Sequence, residues 1–189
     1  MLYFKEFPVS NSTLIIKKLQ ELIPIDQLQK SSFVRIDVNQ VYAVSELWEE
    51  LGKIGLHPSH LITASFIGVK PNDQVPAHVD VGGKSRIGMN WPIINCQKSE
   101  THFYTLRNKN TKIVTNIVEP PEDKFLSTYD TAPIENLELQ STVIYKDNPI
   151  LMRINHWHSI TNHDDKMRVT LSLRFLPEIE TTYLEQYLQ

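Results

Sequence analysis

From residue 61 onward the chain breaks into short runs rich in β-branched and aromatic residues, and this pattern constrains its fold more than any other feature. The runs cover 61–69, 75–81, 86–94, 102–106, 112–118, 142–145, 150–154 and 169–176. Turn-forming groups separate several of them, including Pro71-Asn72, Gly82-Gly83 and Asp147-Asn148-Pro149. Many short strands in direct succession, with few helices between them, argue for a sandwich or barrel. The expected architecture is mainly β with flanking α: an antiparallel jelly roll supported by N-terminal helices.

The first third reads differently. Residues 1–8 suit a short strand, and Asn11 or Ser12 can cap a helix whose apolar stripe is Leu14, Ile15, Leu19, Leu22 and Ile23. Pro24 breaks or kinks that helix. Residues 33–38 alternate like a strand. Ser45 can cap a second helix through Leu47, Trp48, Leu51 and Ile54, ending between Gly52 and Gly55. A short terminal helix is expected over 181–188. The stretch 105–140, with Pro120-Pro121 and Pro133, reads as either an ordered excursion or a mobile loop. At 189 residues and 41% hydrophobic, the chain suits one domain with a substantial core. Within it, 1–59 would act as support, 60–176 as the jelly roll and 177–189 as the terminal helix.

A net charge of −3 disfavours a nucleic-acid partner, whose phosphates call for clustered Lys and Arg. Cys96 is the single cysteine, so no intrachain disulfide can form, which fits a reducing compartment. No apolar run approaches the roughly 18 residues of a membrane span, and no basic-then-apolar leader opens the sequence. A cytoplasmic location, without a membrane partner, is the expectation.

Two distant segments carry chemistry. In a strand, residues i and i+2 share a face, so His78 and Asp80 can offer an imidazole nitrogen and a carboxylate oxygen to one ion. A lone His-x-Asp beside a turn is common by chance, so a third ligand is needed. His156 and His158 both qualify, pointing the same way if one strand carries them. Arg168 favours His158. A strand ending near His158, a turn through Asn162-His163-Asp164-Asp165 and a strand returning from Met167 would form a hairpin that brings Arg168 beside the metal ligand. The guanidinium is a planar fork that matches a carboxylate bidentately. A surface ion pair with Asp164 or Asp165 is the plainer reading of Arg168. Two imidazoles and one carboxylate on one face of a metal, with other positions open, suit non-haem Fe(II).

His78-x-Asp80, His158 and Arg168-Val169-Thr170 together resemble the signature of the 2-oxoglutarate- and Fe(II)-dependent dioxygenases. They are most similar to the aspartyl/asparaginyl β-hydroxylase-like branch. The resemblance spans roughly 60–176 and implies a double-stranded β-helix, the cupin-like form of the jelly roll. It implies His78, Asp80 and His158 as iron ligands and catalytic residues. Arg168 and Thr170 would bind the co-substrate 2-oxoglutarate through its distal carboxylate. The implied reaction consumes dioxygen, releases succinate and carbon dioxide, and hydroxylates a C–H bond of an amino acid, peptide or other small polar substrate. Arg86 and Asn90-Trp91-Pro92-Ile93 resemble the segment that follows the first ligand in that branch, although the branch often places a histidine near Asn90. Arg86, Asn90, Trp91 and His156 are therefore candidate substrate contacts. A polar and aromatic strand edge explains the first three equally well.

Two other functions compete. A cupin-like metal enzyme could use His156 and His158 as a ligand pair without 2-oxoglutarate, which leaves Arg168 unexplained. A catalytically silent β-barrel binding protein would leave the whole constellation unused. Arg153 suits an ion pair better than an acidic substrate. His57, His60, His102 and His163 have no partner at ligand spacing. Cys96 has no visible activating neighbour.

Overall fold

The computed structural model describes residues 2–81, 85–108, 110–118 and 127–189. The Gly82-Gly83 and Pro120-Pro121 turns lie outside the described residues. The strands are β1 (Phe4–Glu6), β2 (Phe33–Ile36), β3 (Leu61–Val69), β4 (Gln74–Asp80), β5 (Ile87–Ile94) and β6 (Ser99–Leu106), followed by β7 (Val114–Val118), β8 (Ser127–Thr131), β9 (Leu137–Ile144), β10 (Ile150–Arg153), β11 (Trp157–Asn162) and β12 (Arg168–Phe175). The helices are α1 (Ser12–Gln20), α2 (Ile25–Leu28), α3 (Val38–Tyr42) and α4 (Ser45–Gly52), with short helical turns from Pro177–Ile179 to Glu185–Leu188.

Two six-stranded antiparallel sheets result, ordered β1-β10-β5-β12-β3-β2 and β7-β8-β4-β11-β6-β9. The chain changes sheet between β3 and β4, β4 and β5, β5 and β6, β9 and β10, β10 and β11, and β11 and β12. This is the expected jelly roll of cupin type.

β12 shows why the interior matters. It reads Arg-Val-Thr-Leu-Ser-Leu-Arg-Phe and is buried along nearly its whole length. Val169, Leu171, Leu173 and Phe175 join the apolar core with Ile15, Leu19, Leu47 and Leu51 from the helices. Each such side chain, when fully buried, contributes about 1.5–3 kcal/mol. The alternate residues Arg168, Thr170, Ser172 and Arg174 therefore face the other sheet. A strand that turns its apolar side to the helices and its polar side to the barrel interior is built to hold something there.

Several local expectations shift. The Asn11 side chain makes no capping bond. Ser12 is instead the first residue of α1, and its hydroxyl donates to the Asp147 carbonyl. Ser45 likewise opens α4 behind Val44. Asp37 accepts a bond from the Asn39 N–H at 2.9 Å, which starts α3 and ends β2 at Ile36. The stretch 105–140 supplies β7 and β8, paired antiparallel, and the first half of β9.

The expected hairpin between His158 and Arg168 does not form. β11 is flanked by β4 and β6, and β12 by β3 and β5, so neither has a free edge for the other. The connection is an arch between the sheets. The buried Asn162 amide holds it by donating to the carbonyls of Val69 at 3.2 Å, Lys70 at 3.0 Å and Lys166 at 2.9 Å. Among the described residues, no helix is long and apolar enough to cross a membrane.

Candidate metal centre

His78 and Asp80 lie on one face of β4, and His158 pairs directly with His78 across the β4–β11 ladder. The two imidazole centroids are 4.3 Å apart, and His78 Nε2 is 3.7 Å from Asp80 Oδ1. One ligand atom from each of the three residues lies within 4.8 Å of the others. The pairing register shifts just after His158, a bulge of the kind that re-aims side chains at such sites.

Each ring is held in one tautomer. His78 Nδ1 donates to the Pro76 carbonyl at 2.8 Å, and His158 Nδ1 donates to the His156 carbonyl at 2.8 Å. A carbonyl can only accept, so the proton sits on Nδ1 and the Nε2 lone pair is left for a metal. Burial disfavours the charged imidazole of His158, aided by the neighbouring His78, and lowers its pKa to about 4. His158 is therefore neutral near pH 7, as a ligand must be. Two imidazole nitrogens and one carboxylate oxygen within 4.8 Å of one another fit Fe(II) with open coordination positions.

The same interior contains a second feature. Arg168 is fully buried, and none of Nε, Nη1 or Nη2 has a hydrogen-bond partner. Its guanidinium carbon lies 4.8 Å from the Tyr145 ring centroid, a cation–π contact. Thr170 Oγ1 and Ser172 Oγ are also buried without partners, as is Oδ1 of Asn90, which pairs with Ser172 across the sheet. Asn90 Nδ2 donates to the Tyr145 hydroxyl at 3.4 Å. An unpaired buried guanidinium is costly, and an anionic ligand would offset that cost. The donors thus fit a carboxylate.

The remaining candidates separate. Trp91 pairs with Leu171 and joins the helix-side core, so it faces away from the barrel interior and is not positioned to line a pocket there. Arg86 is exposed just before β5; its backbone N–H donates to Glu180 Oε2 at 2.7 Å and its carbonyl accepts from the Ile154 N–H at 3.0 Å. His156 precedes β11, so the strand alternation expected to align it with His158 does not reach it. Its half-buried ring meets Tyr3 edge-on at 5.4 Å. Its carbonyl accepts the hydrogen bond from His158 Nδ1. Arg153 ends β10, where it is buried, ion-paired with Glu185 at 3.5 Å and donating to the Leu188 carbonyl at 3.2 Å. Sequence reasoning missed Tyr145, Gly88 and Arg174. Arg174 was findable, since it continues the period-two row of Arg168, Thr170 and Ser172.

No protein-family model matches the sequence, and neither does any curated protein sequence. Solved structures match its shape. The non-haem alpha-ketoglutarate-dependent carbocyclase SnoK from nogalamycin biosynthesis superposes with a TM-score of 0.54 at 10% identity, covering 92% of this chain and 80% of that one. Apo HygX from Streptomyces hygroscopicus gives 0.53 at 9%, covering 93% and 82%. HygX with iron bound gives 0.52 at 8%, with the same coverage. Likeness at these identities establishes the fold, and the chemistry in those names belongs to those proteins.

Proposed function

We propose that this chain is a non-haem Fe(II)- and 2-oxoglutarate-dependent dioxygenase that hydroxylates a C–H bond of an amino acid, peptide or other small polar substrate. The observation that carries this reading is the buried, unpartnered Arg168 guanidinium inside the same barrel as His78, Asp80 and His158. A metal triad alone fits many cupin-type enzymes. A triad with a buried cation that requires a carboxylate fits a diacid co-substrate.

The chain's own groups divide the work. His78 and His158 present Nε2 donors, and Asp80 supplies one carboxylate oxygen. Arg168 binds the distal carboxylate of 2-oxoglutarate through its fork, and Thr170 adds a hydroxyl donor from the same strand face. Tyr145 packs its ring against the guanidinium, 4.8 Å from its central carbon, and so helps to hold it in place. The inward face of β12 excludes water from the bound diacid. Bound Fe(II) would supply the activation of dioxygen, coupled to decarboxylation of the 2-oxo acid. The choice of amino acid or peptide rests on the resemblance of residues 60–176 to the β-hydroxylase-like branch.

Anaerobic addition of Fe(II) and 2-oxoglutarate should produce a weak visible charge-transfer band, and a substrate screen should report succinate release. A protein that binds Fe(II) but gives neither band nor succinate would be a cupin-like enzyme of another kind. One that binds neither component would be a binding module.

A further inference from the structure

We infer that Arg174 is a positioning residue that holds Asp80 to a single metal-facing oxygen, and that Gly88 is the space that permits it. The inference rests on the metal reading above and deepens it.

The two oxygens of Asp80 have different neighbours. Oδ1 faces His78 Nε2 at 3.7 Å, on the side where the imidazoles converge. Oδ2 accepts a hydrogen bond from Arg174 Nη2 at 3.2 Å. The Asp80 backbone is held as well, its N–H donating to the Ile154 carbonyl at 3.1 Å. Asp80 is therefore held at its backbone and at Oδ2, with Oδ1 left to face a cation.

Gly88 is the cross-strand partner of Arg174. A Cβ at position 88 would stand 1.8 Å from Arg174 Nη1, 2.8 Å from Cζ and 3.2 Å from Ile154 Cγ2. The guanidinium thus lies across the glycine, in the space a side chain would fill. The neighbouring carboxylate that could compete, Glu180, is occupied elsewhere. It accepts from the Ser85 hydroxyl and from the N–H groups of Arg86 at 2.7 Å and Ile87 at 3.3 Å. Arg174 is left to Asp80.

The consequence concerns coordination number. A carboxylate with one oxygen in a charge-assisted hydrogen bond binds a metal through the other. Three protein donor atoms then occupy three positions of an octahedral ion. A chelating 2-oxo acid and a further small ligand require the remaining three. Without Arg174, Asp80 loses its fixed orientation, which weakens its hold on an ion, and it can swing both oxygens into positions that the other ligands need.

Co(II) titration of the 189-residue chain, followed by calorimetry and by visible d–d absorption, tests this without turnover. Arg174→Ala and Gly88→Ala should each weaken Co(II) binding roughly 10- to 100-fold and change the d–d spectrum in the same direction. Arg174→Lys, which retains a charged donor, should recover most of the affinity. Gly88→Ala meets the mobile end of a side chain, so its thermal unfolding should stay near wild type, which separates ligand positioning from folding. If both alanine variants keep wild-type affinity and spectrum, the inference is overturned and the metal reading stands. If the wild-type chain itself fails to bind Co(II), both fall.

Discussion

His78 and His158 occupy one rung of the β4–β11 ladder, with ring centroids 4.3 Å apart and each Nδ1 proton donated to a carbonyl two residues upstream. The rung makes the candidate metal centre a property of the sheet rather than of a loop. Neither imidazole can leave without breaking a strand pair, and neither can turn without losing its carbonyl acceptor. That rigidity suits a site whose ligand atoms must keep their geometry through a reaction.

The first prediction separates the two histidines flanking Trp157. His158→Ala should abolish Fe(II) binding and succinate formation. His156→Ala should leave both measurable, since alanine keeps the backbone carbonyl to which His158 Nδ1 donates. Its cost is the edge contact with Tyr3, about 0.5–1.5 kcal/mol of stability. Iron titration with urea unfolding reads both effects, and an inactive His156→Ala beside an active His158→Ala would reverse the ligand assignment.

The second concerns the buried cation. Arg168→Met removes a charge that no protein group pairs, so the ligand-free variant should gain on the order of 1–3 kcal/mol, after loss of the contact with Tyr145. Addition of 2-oxoglutarate at about a hundred times its Kd should stabilise the wild-type protein by roughly 2.7 kcal/mol and leave Arg168→Met unchanged. Arg168→Lys keeps the charge without the fork and should bind 2-oxoglutarate more weakly by about 1.5–3 kcal/mol. Thermal shift with and without the diacid decides, and an equal shift in all three proteins would exclude Arg168 as the anchor.

The third is a pH dependence of the metal-free protein. Burial holds the His158 imidazole at about 4 when folded, below the ordinary value of 6.5. The unfolded chain then accepts a proton that the folded state refuses. The stability tied to the neutral ring is fully present above about pH 6.5, declines as pH falls towards 4, and amounts to at most about 3 kcal/mol. Urea unfolding across that window should show the decline in the wild-type protein and a flatter curve in His158→Gln. Parallel curves would assign the decline to other groups.

The fourth tests the arch. Asn162→Ala removes the donor shared by the carbonyls of Val69, Lys70 and Lys166. Buried carbonyls left without partners cost about 1–3 kcal/mol. The same change should loosen Arg168, which begins β12 just beyond the arch, and so weaken 2-oxoglutarate binding more than Co(II) binding. Equal losses for both ligands would make Asn162 a purely structural residue.

Much of this was legible in the order of residues. The β-rich runs after residue 61 correspond to strands, and the helical stripes at Leu14 to Leu19 and at Leu47 to Leu51 correspond to α1 and α4. Strand periodicity and helix stripes are local, so a single chain displays them. Short elements escaped where one side chain outweighed the pattern, as Asp37 did in ending β2 and starting α3. β8 escaped because Ser127–Thr131 is polar and finds its place only between β7 and β4.

By itself, the order of residues determined that His78 and Asp80 share a face and that Arg168 and Thr170 share another, because a strand alternates its side chains whatever it pairs with. Only the tertiary structure decided how those faces meet. It placed β11 and β12 in opposite sheets, set His158 opposite His78, turned Trp91 into the helix-side core and set Arg174 against Asp80. Each of these depends on which strand edges are already filled and which face of a sheet the helices cover, and those are contacts between distant residues that no local spacing encodes.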